Sequence, residues 1–403
     1  MKISILHYSV PPIVGGVESV IAHHARLMSA DGHGVNLIAA RGEAFDEKIT
    51  ITKIPLADSR HERINQVKAQ LDKGEVTQDF ESLRDELTNE LQKALKDTNV
   101  LIAHNVCSLN KNLALTAALY KLHIEKKLPK LILWHHDLAW TTPRYLPELH
   151  NGYPWDLLRT DLKNTTQVVI SELRRKELAG LMNLDSKSIH VIPNGVDASR
   201  FYKLESQTQN LIQQINLLDN APILLLPVRV TPRKNIELAL QTLAELKKTY
   251  PKTALVVTGP LGPHNQDNVK YFEKLKTLRK ELNLENSAHF LAELIDGFLP
   301  DEVIADFYRV ADALIFPSRE EGFGIPLIEA AYSHLPAFCA DIPPLRELGL
   351  EDVTYFSPDE NPSRVANLIA TYFKNSTTAK LSTRARLNFR WEAIYRQHIV
   401  PIL

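Results

Sequence analysis

Short apolar runs alternate with longer stretches of helical periodicity along nearly the whole chain. Brief runs of Val, Ile, Leu and Ala bounded by turn residues read as strands buried on both faces. Stretches with apolar positions every three to four residues read as helices. In the first half this predicts strands at Lys2 to Tyr8, Val35 to Ala39, Val100 to Ala103, Leu131 to Trp134, Val168 to Ile170 and His190 to Ile192. Helices fill gaps such as Val17 to Ala30 and Asn112 to His123. Such alternation marks βαβ units around parallel sheets, so the expected fold class is α/β.

The pattern loosens between Asp197 and Ala221, where Gln and Asn dominate. A second series follows, with strands at Ile223 to Val228, Ala254 to Thr258, Ala288 to Leu291 and Ala313 to Phe316. Its helices are expected at Ile236 to Thr249, Val269 to Leu282 and Pro326 to Ser333. The expectation is therefore two Rossmann-like domains, 1–200 and 221–380, joined by a linker over 201–220. A closing helix over 381–403 takes an apolar face from Phe389, Trp391, Ile394 and Tyr395. Ser59 to Thr98 mixes acids and bases densely and reads as a helical, surface-lying insertion.

Composition then narrows the function classes. With 403 residues the chain fits two or three domains at about 150 residues each. Lys and Arg number 47 against 48 Asp and Glu, so no global field draws the chain to nucleic acid or an anionic membrane. Cys107 and Cys339 stand far apart, which excludes a disulfide framework and favours a reducing, cytoplasmic setting. No apolar run approaches the ~18 residues of a membrane span, and MKISILHYSVPP lacks the apolar region of a signal peptide. Glycine supplies 15 of 403 residues, about half of the usual 7%. Each glycine is therefore more informative than usual.

Four segments carry candidate chemistry. Gly15 and Gly16 lie in a loop between the first strand and its helix, where free amides favour anions; a plain turn is the alternative. His135, His136 and Asp137 end a strand, where open α/β sheets place ligands. Adjacent strand side chains diverge, so one metal would not take both histidines. Arg229, Arg233 and Lys234 form a positive spot suited to a diphosphate, or else solvated loop charge. The most specific segment runs from Glu320 to Ala330, EEGFGIPLIEA, where two glycines expose backbone at a helix start and Glu321 and Glu329 bracket the turn. Carboxylates hold sugar or ribose hydroxyls and amides hold phosphate.

At these residues the chain resembles the retaining GT-B glycosyltransferases of family 4. The early Gly-Gly loop, the strand-end His, Ile192 to Asp197 (IPNGVD), the Arg229 and Lys234 pair and EGFGIPLIEA carry the likeness over essentially the whole chain. It implies two Rossmann-like domains facing across a cleft, with the C-terminal helix crossing back to the first. It further implies that Arg229 and Lys234 neutralise the donor diphosphate and that Glu329 holds the ribose hydroxyls. Glu321 and the backbone of Gly322, Phe323, Gly324 and Ile325 would hold the transferred sugar, and His136 would sit near it, with His135 as the fallback. Gly15, Gly16, Gly322 and Gly324 fall at the expected substrate-facing helix starts, and Gly195 and Gly259 at strand ends bordering the cleft.

The implied reaction moves a hexose, glucose or mannose, from a UDP- or GDP-sugar with retention and without a resident cofactor. No Asp-x-Asp occurs in the chain, consistent with metal-independent transfer. Asp137, Trp140, Arg144, Trp155 and Asp156 interleave aromatic and charged groups and are the expected acceptor contacts. A soluble, sugar-containing or anionic acceptor is favoured over a lipid, because Lys126, Lys127 and Lys130 and the Arg174 to Lys176 run form only small basic clusters. Weak or no membrane association follows. The competing readings are a lipid-acceptor transferase, a nucleotide-sugar epimerase and a non-catalytic nucleotide-sugar-binding protein.

Overall fold

The expected strands pair into two sheets, both entirely parallel. The computed structural model describes residues 1–261 and 266–403. In the first sheet, β1 (Lys2–Leu6), β2 (Gly34–Ala39), β3 (Ile49–Lys53), β4 (Val100–His104), β5 (Lys130–His135), β6 (Thr166–Val169) and β7 (Ile189–Val191) lie in the order β3-β2-β1-β4-β5-β6-β7. In the second, β8 (Ile223–Leu226), β9 (Ala254–Val257), β10 (Ala288–Phe290), β11 (Ala313–Phe316), β12 (Ala337–Ala340) and β13 (Thr354–Phe356) lie in the order β10-β9-β8-β11-β12-β13. Strand order reverses between β1 and β4 in one sheet and between β8 and β11 in the other. The carboxyl ends of such strands form the crevice in which open α/β sheets bind ligands.

Burial explains the continuous apolar runs. Ile3, Ile5, Ile102 and Ile132 pack into one layer of the first sheet, while Leu6, Leu101, Leu131 and Leu133 pack into the other. Side chains alternate across the strand, so a sheet covered on both faces needs apolar residues at successive positions. β3 escapes this pattern because its sequence, ITITK, alternates with polar residues at the sheet edge. β12 and β13, with the helices Asp301–Val310, Pro343–Gly349 and Pro362–Asn375, likewise add to the elements read from the sequence.

Three boundaries differ from expectation. Ser59 to Thr98 forms two helices, Glu62–Leu71 and Gln78–Ala94, and is not merely surface-lying. Phe80, Leu83, Leu87 and Leu91, one stripe at helical spacing, are fully buried, and the second helix packs on Leu113–Ile124. The outer charges pair instead, as Arg63 does with Glu86 and Lys121 with Asp85.

The expected linker 201–220 is part of the second domain. The helix Ser206–Gln214 buries Leu211 and Ile212, the following turn buries Leu217 and Leu218, and buried Asp306 accepts from Thr208 Oγ1 and the Glu205 amide at 2.7 Å each. Its polar outer face hid that stripe. The chain divides into one unit comprising Met1–Gly195 with Trp391–Leu403, and a second comprising Val196–Arg390.

The closing helix is two pieces. Thr377–Asn388 belongs to the second unit, where Arg386 pairs with Asp312 and donates to the Val310 carbonyl at 2.8 Å. Arg390 pairs with Asp219, and the chain then enters the first unit with Trp391–Ile394. Phe389 is exposed, whereas Trp391, Ile394 and Tyr395 are buried. Ile394 and Ile399, both fully buried, each contribute roughly 1.5–3 kcal/mol. No helix among the described residues is long and apolar enough to cross a membrane.

Candidate functional site

In the second unit the chain leaves β8 through Arg229 and turns at Pro232–Lys234 before the helix Ile236–Leu246. Asn235 starts that helix with φ of 54°, a left-handed conformation that Asn tolerates better than most residues. Its side-chain amide donates to the carbonyls of Pro317 (3.1 Å) and Pro358 (2.8 Å), fastening the β8 exit to the β11 exit. Lys234 is thereby held over the Phe316 ring at 5.7 Å and ion-paired with Glu321, both side chains nearly sealed. Burial pulls the ammonium below its usual range, and Glu321 opposes that shift. Arg233 donates to the Glu320 carbonyl at 3.2 Å. The expected three-cation spot is therefore smaller than the sequence implied. Exposed Arg229, stacked on the Phe298 ring at 5.4 Å, has no ion pair among the described residues.

The second loop supplies amides and a second carboxylate. Gly324, at φ of 109°, precedes the helix Ile325–Tyr332, and an added Cβ would meet Leu345 at 2.6 Å, so only glycine fits. Around Gly322 the space is open. The amides of Gly322, Phe323 and Gly324 make no hydrogen bond among the described residues. They are free to meet an anion or a hydroxyl. Glu329 is exposed one turn into the helix and accepts from Tyr308 Oη at 2.6 Å. Tyr308 is buried and absent from the residues singled out in the sequence; its hydroxyl fixes one Glu329 oxygen and leaves the other available.

The first unit presents neutral rings instead of charges. β4 and β5 pair with His104 opposite Trp134, bringing the next residues of both strands together. His136 Nε2 and His104 Nδ1 share a hydrogen bond of 3.0 Å, and the His136 amide donates to Asn105 Oδ1 at 2.7 Å. His135 diverges: its Nε2 bonds Gln167 Oε1 at 2.8 Å on β6. It is 1% exposed and structural, which removes it as a fallback. His7, directly after β1, bonds the His104 carbonyl through Nδ1 at 2.8 Å. Burial lowers His136 and His24 to about 3 and His7 and His135 to about 4, and holds His104 well below the ordinary histidine value. All five are neutral rings at neutral pH. His7, His104 and Asn105 were missed because each looks like an ordinary strand end; their location at the reversal of strand order is the signal that marks them.

Gly15 and Gly16 begin the helix Gly16–Ala30. Space is open beside Gly16, but the Glu18 carboxylate folds back against Gly15 and accepts from Ser9 Oγ at 2.6 Å. The helix start thus already carries an anion of its own. Gly195 and Gly259 are packing positions: an added Cβ would meet the Trp391 ring at 2.7 Å in one case and the Val228 carbonyl in the other.

The expected acceptor residues are mostly engaged with each other. Trp155 is 3% exposed and belongs to the core. Arg159 stacks on Trp140 at 3.9 Å and pairs with Asp156 at 2.7 Å, while Trp140 Nε1 donates to the Trp155 carbonyl. Asp137 lies 3.6 Å from Arg174. Arg144 alone is exposed, lying over the Tyr145 ring at 4.7 Å. Ordinary loop packing accounts for Trp140, Trp155 and Asp156.

Residues 14–200 match the model of Glycosyltransferase Family 4, and residues 207–388 match that of Glycosyl transferases group 1. A mannosylglucosylglycerate synthase of Petrotoga mobilis is 29% identical over 297 residues, 68% of each chain. The enzyme of that name from Thermotoga maritima is 27% identical over 360 residues, 83% of this chain and 79% of its own. The solved structure of Anabaena Alr3699/HepE in complex with UDP and glucose aligns with 100% of this chain and 99% of that one, at 19% identity and a TM-score of 0.37, too low to carry a functional argument. The two family matches divide the chain almost as its two sheets do, and on them the chain belongs to the GT-B glycosyltransferases of family 4.

Proposed function

We propose that this glycosyltransferase moves a glucose or mannose residue from a UDP- or GDP-sugar to a small polar acceptor that contains a sugar or an anionic group, with retention of anomeric configuration. The observation that carries the reading is the cluster in the second unit: Lys234 paired with Glu321 beside the open amides of Gly322 to Gly324, with Tyr308-held Glu329 one turn on. Two relatives whose name describes a product of mannose, glucose and glycerate support the hexose and the small, carboxylate-bearing acceptor.

Each group then has a task. Arg229 and Lys234 bind the diphosphate and stabilise the negative charge that grows on it as the bond to the anomeric carbon breaks. Glu329 accepts hydrogen bonds from the ribose hydroxyls. Glu321 and the loop amides hold the transferred hexose, and His136 of the first unit is a hydrogen-bonding group for a substrate hydroxyl. The acceptor oxygen bonds to the anomeric carbon on the face the phosphate leaves, and its proton passes to a phosphate oxygen. No carboxylate becomes covalently attached. Transfer runs without a resident metal, so EDTA should leave the rate unchanged.

Thermal stabilisation by a panel of UDP- and GDP-sugars identifies the donor, because a ligand bound only by the native state raises apparent stability. Incubation of that donor with glycerate, hexosylglycerates and free sugars should then give a product with the donor's anomeric configuration. Donor isomerisation without acceptor would turn the reading to an epimerase. Binding without transfer across the panel would turn it to a binding protein.

A further inference from the structure

His104 organises two rings, not one. Its side chain meets His136 Nε2 at 3.0 Å, and its backbone carbonyl meets His7 Nδ1 at 2.8 Å. A carbonyl only accepts, so His7 carries its proton on Nδ1 and its Nε2 is a bare acceptor. The shared proton of the ring pair can sit on either residue. If His136 Nε2 held it, neutral His104 would carry its own proton on Nε2. That atom is sealed and has no hydrogen-bond partner, and its neighbours are His24, whose ring nitrogens are equally unpartnered, and the Trp134 indole. Orphaned buried N–H groups are rarer than under-satisfied acceptors. At His135 the Gln167 oxygen, an acceptor, takes the Nε2 proton and Nδ1 is left bare and sealed. His104 therefore donates from Nδ1, and His136 keeps its proton on Nδ1. His136 Nδ1 and His7 Nε2 have no partner among the described residues and are not among the sealed atoms.

We propose that His104 is a positioning residue that gives the two rings beside it opposite polarity, making His136 a hydrogen-bond donor and His7 a hydrogen-bond acceptor for a ligand hydroxyl. His7 thereby becomes a ligand-contacting residue of the first unit, with Glu18 and Lys111 as the charged groups bearing on it. His136 serves as a donor and not as a base. The inference rests on the transferase reading for its substrate, a sugar hydroxyl, but not for its tautomers.

Nitrogen-15 spectra of histidine-labelled protein at neutral pH test the tautomers without any activity. Both His7 and His136 should show a protonated Nδ1 and a bare Nε2; a protonated Nε2 on His136 overturns the proposal. With donor and acceptor in hand, His104→Leu should lower kcat at least tenfold and leave the donor KM within about twofold. His104→Asn, whose amide N–H replaces the Nδ1 donor, should recover kcat to within about threefold of the parent. Equal kcat for the two variants, with equal thermal stability, refutes the positioning role. Absence of transfer by the parent protein sinks the proposed function, while the spectra still decide the tautomers.

Discussion

The two sheets place chemically opposite groups at equivalent points. At the reversal of the second sheet, Lys234 and Glu321 form a nearly sealed ion pair beside exposed Arg229 and Glu329. At the reversal of the first, His7, His104 and His136 are buried rings held neutral by burial. A diphosphate needs fixed positive charge that does not depend on pH, whereas an alcohol needs a donor and an acceptor that do not attract stray ions. The same βαβ plan thus gives one unit charged groups and the other neutral donors and acceptors, through a few residues at the ends of two strands in each.

The broadest way to break this contrast is acid. Histidines depressed in the folded state bind protons on unfolding below the ordinary value of 6.5, so stability rises with pH between the folded and unfolded values and is flat above. As pH falls from about 6.5 toward 4, the first unit, with five such rings, should lose amide exchange protection well before the second, where among the described residues His289 is the histidine lowered to about 4. Simultaneous loss in both units would contradict the contrast. Next in size, Lys234→Met leaves Glu321 buried without its partner, a change that typically costs 3–5 kcal/mol. Donor affinity by calorimetry should fall by about 100-fold or more.

Replacing His136 with Ala removes a single neutral donor. It should lower kcat by about 100-fold with donor affinity within about threefold, and a variant that loses affinity instead would place His136 with the charged groups. Tyr308→Phe frees Glu329 at the cost of one hydrogen bond, about 1 kcal/mol, so the donor KM should rise about fivefold in steady-state assays. Smallest of all, Asp156→Asn should leave the acceptor KM within twofold, because Asp156 is already spent on Arg159. A larger change would return that loop to the acceptor site.

Much of this was legible. Apolar runs such as ILLL and ALIF announce strands buried on both faces, and the Gly322 to Glu329 spacing announces a helix start with open backbone amides. Other features were hidden for physical reasons. Residues 201–220 hide an apolar stripe beneath Gln and Asn, and β3 is an edge strand that alternates with polar residues. The pairing of Lys234 with Glu321, 87 positions apart, is a property of the sheet order, as is that of His136 with His104 across 32. Trp140 and Trp155 misled because an aromatic in a charged loop reads the same whether it stacks on a ligand or on Arg159.

The return of residues 391–403 to the first unit sets an order of assembly. Trp391 stacks on His23 at 5.0 Å, packs edge-on to His24 at 5.5 Å and fills the space that Gly195 leaves open. On the ribosome, residues 196–390 emerge in full before this tryptophan does. Domains usually complete in N-terminal order during synthesis, but here the N-terminal one must wait for residues 391–403, and the second unit can finish first. A released protein truncated after Arg390 should therefore hold a protease-resistant second unit and a first unit that is open to cleavage.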